Sequence, residues 1–252
     1  TFATTRKVKN NGQVFTPAFL VHIMLDYVGY TSDVPFEKHI IDNSCGDGAF
    51  LREVVERFCT CYLEKGYSKA QLKCALETYV HGIELDSEAY ALCKMGLDDI
   101  ALRYGLKEVR WDLLNTDALQ VSAYNGRMDF VVGNPPYVRV HNLADSYEAV
   151  KTFHFAQDGM TDLYLVFYKL GFRMLNKVGK LCYITPSSWL SSLAATNMRR
   201  YIFQMRQLNG LIDLGHFQAF EGATTYTMIT RFDMQNQSET IAYAELNAES
   251  KV

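Results

Sequence analysis

The segment His39-Ile40-Ile41-Asp42-Asn43-Ser44-Cys45-Gly46-Asp47-Gly48 is the clearest indication of the fold class. Residues 39–43 form a short apolar run that is typical of a buried strand, and residues 44–48 form a glycine turn. The apolar residues that follow recur at helical spacing; they are Phe50, Leu51, Val54, Val55 and Phe58. A strand, a glycine turn and a helix in this order predict the first unit of a parallel α/β sheet.

The same alternation continues along the chain. Apolar runs predict strands at 79–85, 109–114, 128–133, 179–185, 211–214 and 225–232, with 241–246 as a candidate edge strand. Amphipathic patterns predict intervening helices at 68–77, 87–104, 162–176 and 196–208, with Ser87 as the N-cap of the second of these. An earlier helix opens at Thr16-Pro17, with Thr16 as its N-cap. The pattern predicts an α/β fold with a doubly wound, mostly parallel seven-stranded sheet and an antiparallel last strand. Ligands of such sheets bind beyond the carboxyl ends of the strands.

Composition excludes several classes of protein. With 252 residues, 48% of them hydrophobic and 21% charged, the chain can bury a sizeable core without disulfides or metals. The six cysteines lack paired CxxC spacing with partner histidines, so we expect no zinc site, and we expect reduced, buried thiols and a cytoplasmic protein. No apolar run is long enough for a membrane span. The net charge of −3 lacks the basic excess that is usual in nucleic-acid-binding modules.

Acidic residues lie at the ends of three successive predicted strands. Asp42 ends the first strand and Asp47 lies in the glycine turn, Glu84 lies at the end of the second strand and Asp117 follows the third. Acids at a glycine turn favour a cationic or hydroxyl-rich ligand over a pyrophosphate. S-adenosylmethionine, which carries an ammonium, a sulfonium and a ribose, fits these acids: Glu84 could hold the ribose and Asp117 the adenine amino group. A structural turn with solvated acids is the alternative interpretation.

The tetrad Asn134-Pro135-Pro136-Tyr137 directly follows the fourth strand. Two prolines remove two amide donors and stiffen the chain, so the turn presents the Asn134 amide oxygen and the Pro135 carbonyl in a fixed arrangement. These two acceptors could localise the lone pair of an exocyclic aromatic amine, which is otherwise a poor nucleophile, without a strong base. Tyr137 offers a stacking face for a base. An Asx turn with strand-ending prolines is the alternative.

The chain resembles the amino-methylating, S-adenosylmethionine-dependent DNA methyltransferases of restriction–modification systems that have the gamma-type motif order. The resemblance covers nearly the whole chain. The matching segments are 12–17 (GQVFTP), 42–50 (DNSCGDGAF), 82–86 (GIELD), 115–117 (NTD), 129–137 (DFVVGNPPY), 162–164 (DLY) with Phe167, 184–189 (ITPSSW) and 220–227 (FEGATTYT). Asn43, where the family usually has proline, and Ala118, where a bulky residue is common, depart from the pattern.

The resemblance implies roles for individual residues. In the cofactor site, Thr16 would contact the methionine carboxylate and Asp42 its amino group. Glu84 would hold the ribose and Asp117 the adenine, and other cofactor contacts would come from Cys45, Gly46, Leu85, Ala118, Pro136 and Phe167. Asn134, Pro135, Pro136 and Tyr137 form the catalytic motif, in which Tyr137 would stack on the target base, with Phe220 on its other face. No metal is implied.

The resemblance also implies a Rossmann-like methyltransferase fold that fills residues 1–252. Residues 1–36 would form the cofactor-site helix region and residues 37–252 the sheet core, and a C-terminal target-recognition domain is expected to be absent. The expected partners are double-stranded DNA and a restriction or specificity subunit or that recognition domain. The location would be a bacterial or archaeal cytoplasm. The implied reaction is adenine methylation after base flipping, with S-adenosylhomocysteine as the product and phosphate contacts from the loop 138–160 or from Arg199, Arg200 and Arg206.

Other functions remain open on these residues. A glutamine side chain of a protein, an RNA base or the amino group of cytosine poses the same chemical problem as adenine. A subunit that keeps the fold and binds without catalysis is an alternative of another class. A nuclease is disfavoured in this segment because none of the five prolines is followed by aspartate.

Overall fold

The computed structural model describes residues 16–31, 33, 37–139, 150, 153, 162–215 and 226–246. In these ranges the α-helices are Ala18–Val28 (α1), Ala49–Glu64 (α2), Lys69–Tyr79 (α3), Ser87–Arg103 (α4), Leu163–Met174 (α5) and Thr196–Met205 (α6). The strands are Ile40–Asp42 (β1), Val80–Glu84 (β2), Asp112–Asn115 (β3), Met128–Gly133 (β4), Leu175–Pro186 (β5), Leu208–Asp213 (β6), Thr227–Asp233 (β7) and Ala242–Glu245 (β8).

The strands form one sheet in the order β3-β2-β1-β4-β5-β7-β6-β8. Strand β1 pairs in parallel with β2 and β4, and β5 continues that direction. Strand β7 is the antiparallel strand, lying between β5 and β6. This architecture confirms the predicted α/β class with its mostly parallel, doubly wound sheet.

The described sheet has eight strands where the pattern predicted seven. The additional strand is β8, which pairs in parallel with β6 at the edge of the sheet and lies within the candidate edge strand 241–246. All four of its residues are exposed. Its sequence therefore lacks the apolar signal of a buried strand, and only pairing with β6 defines it.

Helices cover both faces of the sheet. One buried cluster packs α1, α2, α3 and α4 against one face, and a second packs α5 and α6 against the other. Strand β1 shows how the faces divide, because Ile40 belongs to the first cluster and Ile41 to the second. Successive side chains of a strand point to opposite faces, so a central strand covered on both sides must be apolar at both positions.

Two helix starts differ from the sequence prediction. Helix α1 has Pro17 at its N-cap and no side-chain cap, so Thr16 does not cap it. Helix α4 is capped by Asp86, whose carboxylate accepts hydrogen bonds from the amides of Glu88 and Ala89, rather than by Ser87. An aspartate in extended geometry is as good a cap as serine, and it lies one residue earlier here.

The six cysteines are free thiols. Five are buried, but Cys74 is exposed, and for this residue the expectation of a buried thiol is wrong. It lies on the solvent-facing side of α3, whose buried residues are Leu72, Ala75 and Leu76. Among the described helices, none combines the length and apolar character that a membrane crossing needs.

Candidate active site

The carboxyl ends of the parallel strands bring most of the predicted site residues to one edge of the sheet. Asp42 and Glu84 are the last residues of β1 and β2, and the tetrad starts immediately after Gly133, the last residue of β4. Because β1 pairs with both β2 and β4, these three strand ends are neighbours. The parallel topology therefore converts positions far apart in sequence into one site.

Glu84 ties the glycine turn to the end of β2. One carboxylate oxygen accepts a hydrogen bond from the Gly46 amide at 2.8 Å, and the other accepts one from the Asp86 amide at 2.8 Å. The Cys45 amide donates to the Ile83 carbonyl at 3.0 Å. Gly46 has a φ of 55°, and a Cβ built on it would meet no described heavy atom within 4 Å, so the turn is open on that side.

Asp42 is a buried acid at the base of this turn. Its side chain is 1% exposed, and its Oδ1 accepts a hydrogen bond from the Ser44 amide at 3.0 Å. Burial raises the pKa of Asp42, the Ser44 amide opposes this rise, and the nearby carboxylates Glu84 and Asp47 add to it, so that the pKa is about 8. Burial also raises the pKa of Glu84. A cation at this edge would relieve both effects.

A cationic ligand therefore fits the residues present. Within the described ranges no lysine or arginine forms an ion pair with Asp42, while the more exposed Asp47 lies 3.9 Å from Arg52. A buried carboxyl without a protein cation suits the ammonium of S-adenosylmethionine, and the carboxylate of Glu84 is an acceptor of the kind that binds hydroxyl groups. The described residues hold no group of three or more ligands that could bind a metal ion.

Asp117 caps a short 3₁₀ helix that follows β3. Its Oδ1 accepts a hydrogen bond from the Leu119 amide at 2.9 Å, which leaves Oδ2 with only a long contact of 3.4 Å from Gln120. Asn115, which had no assigned role, donates to the Glu84 carbonyl at 2.9 Å and so joins the ends of β3 and β2. Leu85, next to Glu84, is 65% exposed and offers an apolar surface at this edge.

The predicted apolar lining lies deeper in the molecule. Phe167 is on α5 and is 6% exposed, as is Ala118. Both residues belong to the cluster that packs α5 against the sheet. Cys45 is also buried, and a hydrogen bond with Cys93 together with burial raises the pKa of its thiol, which keeps it neutral.

The tetrad packs directly against Asp42 and Thr16. A Cβ built on Gly133 would lie 2.7 Å from Oδ1 of Asp42, so only glycine permits this approach. The Asn134 side-chain amide donates to the Thr16 hydroxyl at 3.2 Å. Pro135 is buried, and Pro136 and Tyr137 are half-buried. Thr16 thus belongs to the site through this contact, which replaces its predicted capping role.

Tyr137 is fixed by its hydroxyl. The hydroxyl donates to the Ile184 carbonyl of β5 at 3.1 Å, and the ring meets Tyr164 edge-on with centroids 6.3 Å apart. Burial raises the pKa of Tyr137 well above its usual range, so the hydroxyl stays neutral. The contacts hold the ring in place and leave it without the charge that a base would need.

Asn43 makes a contact that no local sequence pattern predicts. It is 1% exposed, its Oδ1 accepts a hydrogen bond from the Tyr183 hydroxyl at 2.9 Å, and its amide donates to the Met174 sulfur at 3.7 Å. The glycine turn is thereby tethered to β5 and α5. Only the fold brings residues 140 positions apart into this contact.

Several predicted contacts lie outside the described residues. These are Phe220 and most of the loop 138–160. Of the basic cluster, Arg199 donates to the carbonyls of Trp189 and Ser192, and Arg206 pairs with Glu239 at 3.0 Å. These two side chains therefore bind the protein itself.

Comparison with known proteins identifies the family. The model of the Eco57I restriction-modification methylase family matches residues 58–220, which is more than half of the chain. The Type II methyltransferase M.BstVI of Geobacillus stearothermophilus is 29% identical over 96% of this chain, and the match covers 45% of that protein. The chain thus spans less than half the length of this relative.

Solved structures share the fold. A Listeria monocytogenes protein assigned provisionally to the class I S-adenosylmethionine-dependent methyltransferases superposes with a TM-score of 0.68 and 19% identity over 94% of this chain and 67% of that one. The methyltransferase subunit of a type I restriction-modification system from Streptococcus thermophilus superposes with a TM-score of 0.68 and 16% identity. The match covers 92% of this chain and 46% of that one. The chain therefore shares the fold of these methyltransferase structures, and it belongs to the Eco57I restriction-modification methylase family.

Proposed function

We propose that the protein transfers a methyl group from S-adenosylmethionine to the exocyclic amino group of adenine in DNA, as part of a restriction–modification system. One observation carries the proposal. The Asn134 carboxamide is hydrogen-bonded to Thr16, and the preceding residue, Gly133, contacts the buried acid Asp42. An amine-activating turn and a cation-binding pocket are therefore adjacent. Family membership supports the same reaction class.

The tetrad would activate the amine by accepting its protons. The lone pair of an exocyclic aromatic amine is delocalised into the ring, and hydrogen bonds from both N–H groups to the Asn134 Oδ1 and the Pro135 carbonyl would localise it. These acceptors are held by a rigid turn, so little reorganisation accompanies the reaction. Tyr137, whose pKa is raised by burial, would act through its ring rather than as a base.

The strand-end acids would hold the cofactor. S-adenosylmethionine would supply the electrophilic methyl group. Asp42 would pair with its ammonium, Glu84 with the ribose hydroxyls and Asp117, through Oδ2, with the adenine amino group. Exposed Leu85 would cover one face of that adenine, and Pro136, Phe167, Cys45, Gly46 and Ala118 would complete the pocket.

Duplex DNA as the substrate requires that the adenine leave the base stack, at a cost of roughly a few kcal/mol. Tyr137 and Phe220 would offset this cost by stacking on the extruded base. Base reading is assigned to a recognition domain or specificity subunit, which also accounts for the net charge of −3 on this chain. The proposed location is the cytoplasm of a bacterium or archaeon, where the DNA substrate lies.

The test measures transfer of tritiated methyl from S-adenosylmethionine by the full-length protein to unmethylated plasmid DNA, to total RNA and to a protein extract. We expect label in DNA, recovered as N6-methyladenine after nuclease digestion. Label confined to RNA or protein would refute DNA as the substrate, and N4-methylcytosine would refute adenine. An Asn134→Ala variant is the control, since label that persists in it would come from another enzyme.

A further inference from the structure

We propose that Thr16 is a positioning residue for Asn134, whose carboxamide it holds in the orientation that amine activation requires; this rests on the proposed function. The Asn134 side-chain nitrogen donates to the Thr16 hydroxyl at 3.2 Å, and the two residues are 118 positions apart. Thr16 is 8% exposed, so the contact is shielded from competing water. The hydrogen bond therefore joins the N-terminal helix to the catalytic turn.

Orientation matters because a carboxamide has two similar ends. Its oxygen accepts hydrogen bonds, whereas its nitrogen only donates them. The terminal torsion of asparagine is broad and roughly two-fold, so a half-turn exchanges the two ends at little steric cost. With the nitrogen donating to Thr16, the end of the carboxamide that can accept a hydrogen bond from the substrate amine is the oxygen. In the reversed orientation the nitrogen would face an amine that also donates, and the two groups would repel.

The backbone holds Thr16 in place. Pro17 fixes the start of α1, and its carbonyl accepts hydrogen bonds from the amides of Leu20 and Val21 at 3.0 and 3.2 Å. Five apolar residues of α1 are buried against the sheet. The position of the Thr16 hydroxyl is therefore set by the packed helix that directly follows it.

The hydroxyl can also link Asn134 to the cofactor. A hydroxyl carries one proton, and when it accepts from Asn134 it still has that proton to donate. If Thr16 donates it to the methionine carboxylate, as the family resemblance implies, the hydroxyl can only accept from Asn134. Cofactor binding would then favour the productive orientation of Asn134 and tighten binding of the extruded base. Cofactor and target base would bind cooperatively.

The first test compares three variants of the full-length protein under single-turnover conditions. Thr16→Val removes the hydroxyl with little change of shape, Thr16→Ser keeps it, and Thr78→Val is a matched control that removes an exposed hydroxyl bonded to the Cys74 carbonyl. At saturating cofactor we expect Thr16→Val to lower the rate about tenfold and Thr16→Ser to restore most of it. Thr16→Ala serves the same purpose should the valine variant not fold. A loss seen only in KM for the cofactor would overturn the proposal.

The second test needs no methyl transfer. A duplex with 2-aminopurine at the position that the wild-type protein methylates reports base extrusion by its fluorescence. We expect S-adenosylhomocysteine to increase the affinity for this duplex severalfold in the wild type and in Thr16→Ser, and much less in Thr16→Val. An equal increase in all three would refute the coupling. A wild-type protein that methylates no DNA would refute the proposed function instead, so the two failures are distinguishable.

Discussion

The pH dependence of cofactor binding offers a direct test of Asp42. Its pKa is raised to about 8 in the protein without cofactor, so at neutral pH the carboxyl is mostly protonated. Pairing with an ammonium requires the carboxylate, so cofactor binding below pH 8 should release a proton. A carboxyl with a pKa of about 8 is roughly nine-tenths protonated at pH 7, so we expect release of about 0.9 proton per cofactor.

The raised pKa of Asp42 also determines how steeply the affinity for the cofactor changes with pH. Between pH 6 and pH 7 the fraction of carboxylate rises about tenfold for a pKa of about 8, and the affinity should rise by the same factor. The range is kept below about pH 7.5 because an α-amino group titrates near 8. Calorimetry with S-adenosylhomocysteine, in buffers of different ionisation enthalpy, measures both the affinity and the proton count.

Matched variants show whether Asp42 is the titrating group. Asp42→Asn keeps an acceptor for the Ser44 amide but cannot ionise, so affinity should fall and its pH slope should vanish. Asp47→Asn, which alters a more exposed acid near Arg52, should keep the wild-type slope. An affinity that stays constant between pH 6 and pH 7 in the wild type, or an equal proton count in Asp42→Asn, would refute the reasoning.

The raised pKa of Asp42 also predicts how the free energy of unfolding varies with pH. The folded-state pKa of Asp42 lies above its unfolded value, so the folded protein binds more protons between the two values. Stability of the cofactor-free protein should therefore fall as pH rises from about 4 towards about 8, as far as this group contributes. Asp42→Asn should flatten the dependence in urea unfolding.

Three further predictions concern individual contacts. Asn134→Ala should abolish methyl transfer while cofactor affinity by calorimetry stays within about threefold, since the lost group acts on the amine; a large loss of affinity would contradict its role. Gly133→Ala should lower stability and cofactor affinity, because a Cβ would lie 2.7 Å from Oδ1 of Asp42; unchanged urea unfolding and calorimetry would argue against that crowding. Tyr183→Phe should cost about 1–3 kcal/mol of unfolding free energy by removing the donor to buried Asn43, and an unaltered urea midpoint would exclude the tether.

Local patterns predict a deeply buried strand more accurately than an exposed one. Strand β4 was predicted with its observed bounds, since six consecutive residues of a central parallel strand are largely shielded on both faces. Strand β8 was only a candidate because its four residues are exposed and its pairing with β6 is a long-range contact. Helix α4 was predicted almost to its ends, but its cap was misplaced by one residue, since two adjacent residues are both good caps.

The alternation of strands and helices follows from local sequence patterns, and it predicts the sheet edge at which Asp42, Glu84, Asp117 and Asn134 lie. Parallel strands place their carboxyl ends together whatever the details of packing, so short motifs sufficed to predict that these residues meet at one edge of the sheet. Only the tertiary structure decided what these residues touch. The bond from Asn134 to Thr16, the tether from Tyr183 to Asn43 and the approach of Gly133 to Asp42 join distant parts of the chain. Burial, which raises the pKa of Asp42, likewise depends on both packed layers, and a linear pattern does not encode it.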